Sequence, residues 1–297
     1  MKAYIDIVNK ILEQGFCKQN RTGVAALTVT GAMFEHDMAD GFPLLTTKKV
    51  PFRLIASELE FFIRGITDKE WLRERGNHIW DEWCSPDVVP YDTDEPTKAK
   101  MMIERELGPI YGWQWRNFGA CYTAYNVPQR GQSCDGQGSN QGCDQLLELV
   151  QTLKTDPDSR RMIVSAWNPL DLHRMALPPC HYTFQVTVID GKLNLLWNQR
   201  SVDVALGLPF NIASYGCLLH LLAKEAGFAE GKLIGFLGDT HIYVNHVEAV
   251  RQQIAREPRA LPKIKTEKFS SIFDWHFGDT VIEGYDPHQA IKFEIAV

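Results

Sequence analysis

The chain is poor in the features that mark special classes of protein. No apolar stretch reaches the roughly 18 residues of a membrane-spanning helix, so a transmembrane protein is not expected. Met1-Lys-Ala-Tyr-Ile-Asp6 carries no apolar run of the secretory type, and a cytoplasmic location is expected. The seven cysteines (17, 84, 121, 134, 143, 180 and 217) are odd in number and contain no CxxC pair. This spacing argues against a zinc ribbon, any other metal site or a disulfide framework, and for a reducing compartment. Positive charge is also scarce. A formal net charge of -6 gives no electrostatic footprint for nucleic acid, which is not expected as a partner. There is no internal repeat and no linker-like segment. With 297 residues, 44% of them hydrophobic, the chain has ample material for one large core.

Apolar residues at helical spacing predict helices over 2–14, 52–64, 144–153 and about 212–225, and another reaching to about 255. Strands are expected near 25–35, 162–167, 182–189, 193–198, 232–237, 264–267 and 280–283, with Asp190-Gly191 closing a hairpin. Helices and strands mix without βαβ alternation, which points to a single α+β domain over 1–297. Two polar segments, near 85–106 and 119–143, read as surface insertions. The second is rich in Gly, Gln, Asn and Ser and reads as a long loop.

Ala176-Leu-Pro-Pro-Cys180-His-Tyr-Thr-Phe184 is the most informative stretch. Two prolines stiffen the approach to Cys180, which suits an aimed nucleophile, although most free cysteines are small buried apolar residues. His181 follows directly. On a strand it points away from Cys180, so a Cys/His dyad is not expected and arginine is the available cation for activating the thiol. Arg21, Arg160, Arg161, Arg200 and Ser201 occupy turn-like or element-end positions, and together they have the donors a phosphate dianion needs. Asn211 carries both a donor and an acceptor, a pattern that matches the N3–H and O4 edge of uracil better than cytosine. Glu58 and Glu60 stand among apolar neighbours on one predicted helix. One of them could be a partly buried acid with a raised pKa.

These stretches, with Arg21-Thr-Gly23, Phe42-Pro-Leu-Leu-Thr-Thr-Lys-Lys49, Ile79-Trp-Asp-Glu-Trp83, Gly108-Pro-Ile-Tyr-Gly112, Asp158-Ser-Arg-Arg161, Gln199-Arg-Ser201, Leu206-Gly-Leu-Pro-Phe-Asn-Ile-Ala-Ser-Tyr215, Gly238-Asp-Thr-His-Ile-Tyr243 and Gly284-Tyr-Asp-Pro287, resemble the thymidylate synthase family over nearly the full length. The resemblance implies an α+β fold whose sheet forms a homodimer interface. It implies methylation of dUMP to dTMP with 5,10-methylenetetrahydrofolate as one-carbon and hydride donor. Cys180, Glu58, Tyr111, Asn211, Arg200 and Asp203 are then the catalytic positions. The dUMP contacts are Arg21, Gln199, Arg200, Ser201, Asp203, Asn211, His241 and Tyr243, with Arg160 and Arg161 reaching in from the other subunit. The folate contacts are Lys48, Ile79, Trp80, Trp83, Asp203, Gly207, Phe210 and Ala296. Lys48 and Lys49 would favour the folate's glutamate tail.

Three positions depart from the family pattern: Glu60, Asn198 and Ala205. An extra acid and a polar side chain are what a water-placing site needs. The related pyrimidine nucleotide hydroxymethylases capture the same intermediate with water, and dUMP 5-hydroxymethylation is therefore the alternative reading. A non-catalytic nucleotide- or RNA-binding relative is a third, set against the presence of Cys180, Glu58, Tyr111 and Asn211 together.

Overall fold

A computed structural model describes residues 1–20, 23–92, 94–125 and 142–294. In chain order the elements are α1 (Lys2–Gln14), β1 (Phe16–Lys18), β2 (Ala26–Asp37), α2 (Phe52–Ile63), α3 (Glu70–Arg73), α4 (Glu95–Ile103), α5 (Tyr111–Asn117), α6 (Gln145–Thr155), β3 (Ile163–Ser165), β4 (His181–Ile189), β5 (Lys192–Asp203), α7 (Gly207–Ala226), β6 (Ala229–Tyr243), α8 (Val247–Ile254), β7 (Lys263–Thr266) and β8 (Thr280–Glu283). The fold is α+β. Six strands form one mixed sheet in the order β1-β2-β6-β5-β4-β3, and β7 pairs with β8 in a separate hairpin. Only β5 and β6 run parallel within the large sheet, because α7 carries the chain back between them; its other pairings are antiparallel.

The core lies on one face of this sheet. Val29, Phe34, Phe184, Val186, Leu195, Trp197, Leu233 and Leu237 pack there with the apolar sides of α1, α2 and α7. The alternate residues face outward: Met33 pairs in register with Phe236, which pairs with Asn198, and Met33 and Phe236 are exposed. Asp190 and Gly191 both adopt positive φ, as the hairpin reading of that dipeptide requires.

Two boundaries differ from the sequence expectation, and both matter for the site. The helix expected from 212 begins at Gly207. The Asp203 carboxylate accepts the backbone N–H of Ala205 (2.9 Å) and of Leu206 (3.1 Å), folding a turn that leads into α7, and Pro209 is tolerated in a first helical turn. Strand β6 runs through Gly238 to Tyr243 instead of stopping at 237. A Cβ on Gly238 would lie 2.9 Å from the Arg200 carbonyl, so this glycine serves close approach to β5 and does not break the strand. Arg200 and Ser201 therefore sit on a strand, not in a turn.

A third difference concerns sulfur. Cys121 is disulfide-bonded, where the number and spacing of the cysteines argue against a disulfide framework. Cys17, Cys84, Cys143, Cys180 and Cys217 are thiols, not disulfide-bonded.

Candidate active site

Cys180 lies immediately before β4, and α5 and β5 fix its backbone. Its N–H donates to the Tyr111 hydroxyl on α5 (2.7 Å). Its carbonyl accepts from the Arg200 backbone N–H on β5 (2.8 Å). The Arg200 guanidinium holds the preceding prolines, through Nε to Pro179 O (3.0 Å) and Nη2 to Pro178 O (2.7 Å). The same Nη2 stands 4.0 Å from Cys180 Sγ. The prolines remove two donors from the loop, and Arg200 satisfies their carbonyls while placing its charge beside the thiol. Elsewhere, burial pushes the thiols up, Cys84 and Cys143 to about 11, with Cys217 raised as well.

His181 turns into the core, as the strand alternation required. Its Nδ1 is 2.9 Å from the Tyr215 hydroxyl, its ring packs 4.4 Å from that of Tyr111, and burial holds its pKa down to about 3. It is neutral at physiological pH and makes no ion pair with the thiol. Tyr111 is also stacked by Phe62 of α2 (4.9 Å, 24°), and burial raises its phenol well above the ordinary value. The close approach of α2 and α5 needs Gly112, where a Cβ would fall 2.6 Å from the Phe62 carbonyl.

Glu58 projects from α2 toward Trp80, whose indole N–H donates to it (2.8 Å). Burial pushes Glu58 up to about 7, opposed by that hydrogen bond. Trp80 lies edge-on to Tyr111 (6.2 Å), which links the carboxyl to the cysteine loop. Ile79 and Trp83, in the same turn, are half-buried.

On the far side, Gln199 orients Asn211. The Gln199 amide N–H donates to Asn211 Oδ1 (2.9 Å) and to Ser201 O (3.1 Å), while its oxygen accepts from Trp197 Nε1 (3.1 Å). One Asn211 acceptor position is thereby fixed from behind. Asp203 pairs in register with His241, and Ser201 with Asp239. His241 Nδ1 is 2.9 Å from Asp239, which also bonds Lys18 (2.8 Å), and the Tyr243 ring lies edge-on to His241. Gly207 and Phe210 occupy the first turn of α7, close to Asp203 and half-buried.

The structure brings Cys180, Tyr111 and Arg200 into direct contact, and places Glu58 with Trp80 beside them. Arg160 and Arg161 are exposed between α6 and β3. Arg21 and Ala296 lie outside the described residues.

The structure also shows the settings of Lys48, Glu60, Asn198 and Ala205. Lys48 is 5% exposed. Its ammonium is buried, bonded to Ala205 O (2.5 Å) and set 4.3 Å over the Phe293 ring, and burial lowers its pKa to about 8. Lys49 is the exposed member of the pair. Glu60 faces away from Glu58, as two residues along a helix must. It takes Arg64 Nε (2.7 Å) and the Phe277 N–H (2.8 Å), with His276 at 3.2 Å, so it fastens the 276–277 turn to α2. Asn198 is on the outer sheet face, and Ala205 is fully buried. The sequence offered no reason to notice Lys69, a fully buried lysine whose sequence neighbours are polar.

The family model described as thymidylate synthase matches residues 2–297. Over 294 residues the chain is 44% identical to a bifunctional dihydrofolate reductase-thymidylate synthase of Paramecium tetraurelia, covering 99% of this chain and 61% of that protein. The chain thus spans about three fifths of the length of this relative.

Proposed function

The chain belongs to the thymidylate synthase family, and from that premise we propose that it converts dUMP to dTMP by reductive methylation with 5,10-methylenetetrahydrofolate, releasing dihydrofolate. The observation that carries this reading is the setting of Cys180: a thiol on a stiff Pro-Pro approach, with a guanidinium at 4.0 Å and a tyrosine hydroxyl bonded to its own backbone.

C5 of a pyrimidine is a weak nucleophile. Arg200 favours the Cys180 thiolate, which adds to C6 and makes C5 enolate-like, a case of covalent catalysis. Negative charge then develops on O4, and the Asn211 amide, held by Gln199, supplies a preorganised donor there. When bound, the folate supplies the methylene that bonds to C5 and afterwards the hydride that reduces it to methyl. Ile79, Trp83 and Phe210 are half-buried apolar side chains of the kind a pterin ring packs against, and Ile79 and Trp83 share the turn of Trp80, which bonds Glu58. Glu58, with a pKa near 7, exchanges protons with the pyrimidine and folate through ordered water. Tyr111 accepts the Cys180 N–H at its hydroxyl oxygen, so its own O–H can turn to orient an ordered water, and that water accepts the C5 proton. Elimination of Cys180 as thiolate completes the cycle. Ser201, Arg200 and Arg21 bind the phosphate, and His241 and Tyr243 the ribose. Lys48 serves the folate site indirectly, by fixing Ala205 and Phe293.

No observation favours the hydroxymethylase alternative. The acid and the amide that could have placed a water, Glu60 and Asn198, are located on the far side of α2 and on the outer sheet face. Buried Trp80 stands next to Glu58 and can shield the intermediate from solvent.

The protein acts as a homodimer in this reading. The uncovered outer face, with Met33 and Phe236 exposed, is the contact surface, and Arg160 and Arg161 complete the phosphate site of the partner subunit. No helix among the described residues is long and apolar enough to cross a membrane, and no cluster of three metal-binding side chains is found among them. A cytoplasmic location fits this reading.

The test is covalent trapping. With 5-fluoro-dUMP and the folate, mass spectrometry should find one nucleotide on the peptide containing Cys180. Cys180→Ala should lose all turnover, by at least about a thousandfold, while still binding dUMP. Near wild-type turnover in that variant would sink the proposal.

A further inference from the structure

Lys69 is 1% exposed, and its ammonium donates to three backbone carbonyls: Asp81 (2.8 Å), Trp83 (2.7 Å) and Met101 (2.8 Å). Three protons meet three acceptors, so the ammonium is saturated without a carboxylate partner. Asp81 and Trp83 belong to the turn that carries Trp80. Met101 belongs to the last turn of α4, inside the 85–106 segment, where helix carbonyls are electronegative. Burial lowers the pKa of Lys69 to about 8, a cost borne to keep these strands of chain together.

The same segment reaches the nucleophile at its other end. The Tyr91 hydroxyl contacts the carbonyls of Cys84 (2.8 Å) and Ala176, and its ring lies 6.5 Å from that of Trp83. Ala176 opens the Leu-Pro-Pro-Cys180 loop. Ser85 adds a bond to Arg174 O (2.7 Å), and Arg174 pairs with Asp87 (2.9 Å). A continuous path thus runs from Lys69 through Trp83 and Cys84 to Tyr91 and the residues that lead to Cys180.

We propose that residues 84–92 are a positioning strut: Lys69 fixes its end at the Trp80–Trp83 wall, Tyr91 fixes its end at the Cys180 loop, and the strut sets the separation between folate and thiol. Lys69 and Tyr91 are positioning residues and touch neither substrate nor thiol. The catalytic part of this claim rests on the function proposed above. Carbon transfer between two bound molecules tolerates displacement of only about half an ångström, so loosening either end affects the ternary step more than nucleotide binding.

The test uses Lys69→Met and Tyr91→Phe in the full chain. Backbone amide exchange is followed in the free protein over 79–84 and 174–181. Each variant is expected to raise exchange at least about threefold in both segments, and folate KM about tenfold, with the dUMP dissociation constant within about twofold of wild type. Tyr91→Phe removes a single hydroxyl from a side chain 45% exposed, so it folds even where Lys69→Met does not. If Tyr91→Phe alters exchange only around residue 91 and leaves folate KM unchanged, the strut is overturned. The exchange measurement needs no turnover. A wild type that forms no dTMP would defeat the functional reading alone, and the exchange pattern would still decide the strut.

Discussion

Glu58 and Glu60 are two carboxylates on one helix, and their fates show what a sequence can and cannot carry. Both stand among apolar residues, and the helical period alone places them on different faces. What each face meets is a tertiary matter. Glu58 meets an indole N–H and little else, so its pKa rises to about 7; Glu60 meets a guanidinium, a histidine and a backbone N–H. The consequence for stability has a definite sign. An acid whose pKa rises on folding binds its proton more tightly in the folded state, so stability falls as pH climbs from about 4.5 to about 7 and is level beyond. Glu58→Gln removes that penalty. It should unfold like wild type near pH 4.5 but be more stable at pH 8, by at most about 3 kcal/mol, in urea titrations at both pH values. Turnover should fall at least about a hundredfold, with loss of the pH–rate limb near 7. Equal stability at pH 8 would mean the carboxyl is better solvated than its surroundings indicate. The placement of Cys180 ahead of a strand was legible, because Pro-Pro-Cys before an apolar run is a local signal. The setting of Arg200 was only partly legible: the sequence offered several arginines as the cation, and the pairing of β5 with the start of β4 brings this one to the thiol.

At the scale of elements, the legible features were those encoded within a few residues. The Asp190-Gly191 hairpin and the Asp144 cap of α6, whose carboxylate accepts the Leu147 N–H, formed where the local chemistry placed them. Misread boundaries had non-local causes. Gly238 reads as a breaker until β5 is seen lying against it, and Gly207 becomes helical only once Asp203 has closed the preceding turn. Gly112 is the corresponding case at the site, since it lets α5 approach α2 and so sets Tyr111 against Phe62 and Glu58. Gly112→Ala forces a methyl to within 2.6 Å of the Phe62 carbonyl. Overpacking of this kind costs about 1–3 kcal/mol, visible as a lower urea midpoint. Activity should drop disproportionately, because Tyr111 and Cys180 lose their mutual register. A variant with wild-type midpoint and wild-type turnover would show that the helices separate without consequence. The 85–106 segment, polar and punctuated by prolines, reads as a surface insertion in sequence; Lys69 and Tyr91 acquire meaning only through carbonyls distant in the chain.

At the scale of the molecule, the α+β class followed from the absence of βαβ alternation, but the strand order did not. The parallel β5–β6 pair depends on a 20-residue helix crossing back over the sheet, and no local signal encodes that. The uncovered outer face with exposed Met33 and Phe236 suits a second copy of the chain. If Arg160 and Arg161 serve the partner's site, mixing inactive Cys180→Ala with inactive Arg161→Ala under conditions that exchange subunits should restore turnover to about a quarter of the wild-type sites, since half the dimers are mixed and each mixed dimer has one complete site. No recovery would mean that each subunit builds its own phosphate site.

In the proposed function, hydride and not water ends the reaction. Product analysis addresses this most directly: the protein is incubated with dUMP and 5,10-methylenetetrahydrofolate, with dihydrofolate followed by absorbance and the nucleotide by mass. The expected result is dTMP and dihydrofolate in equal amounts. A 5-hydroxymethyl nucleotide, heavier than dTMP by one oxygen and formed without dihydrofolate, would contradict it.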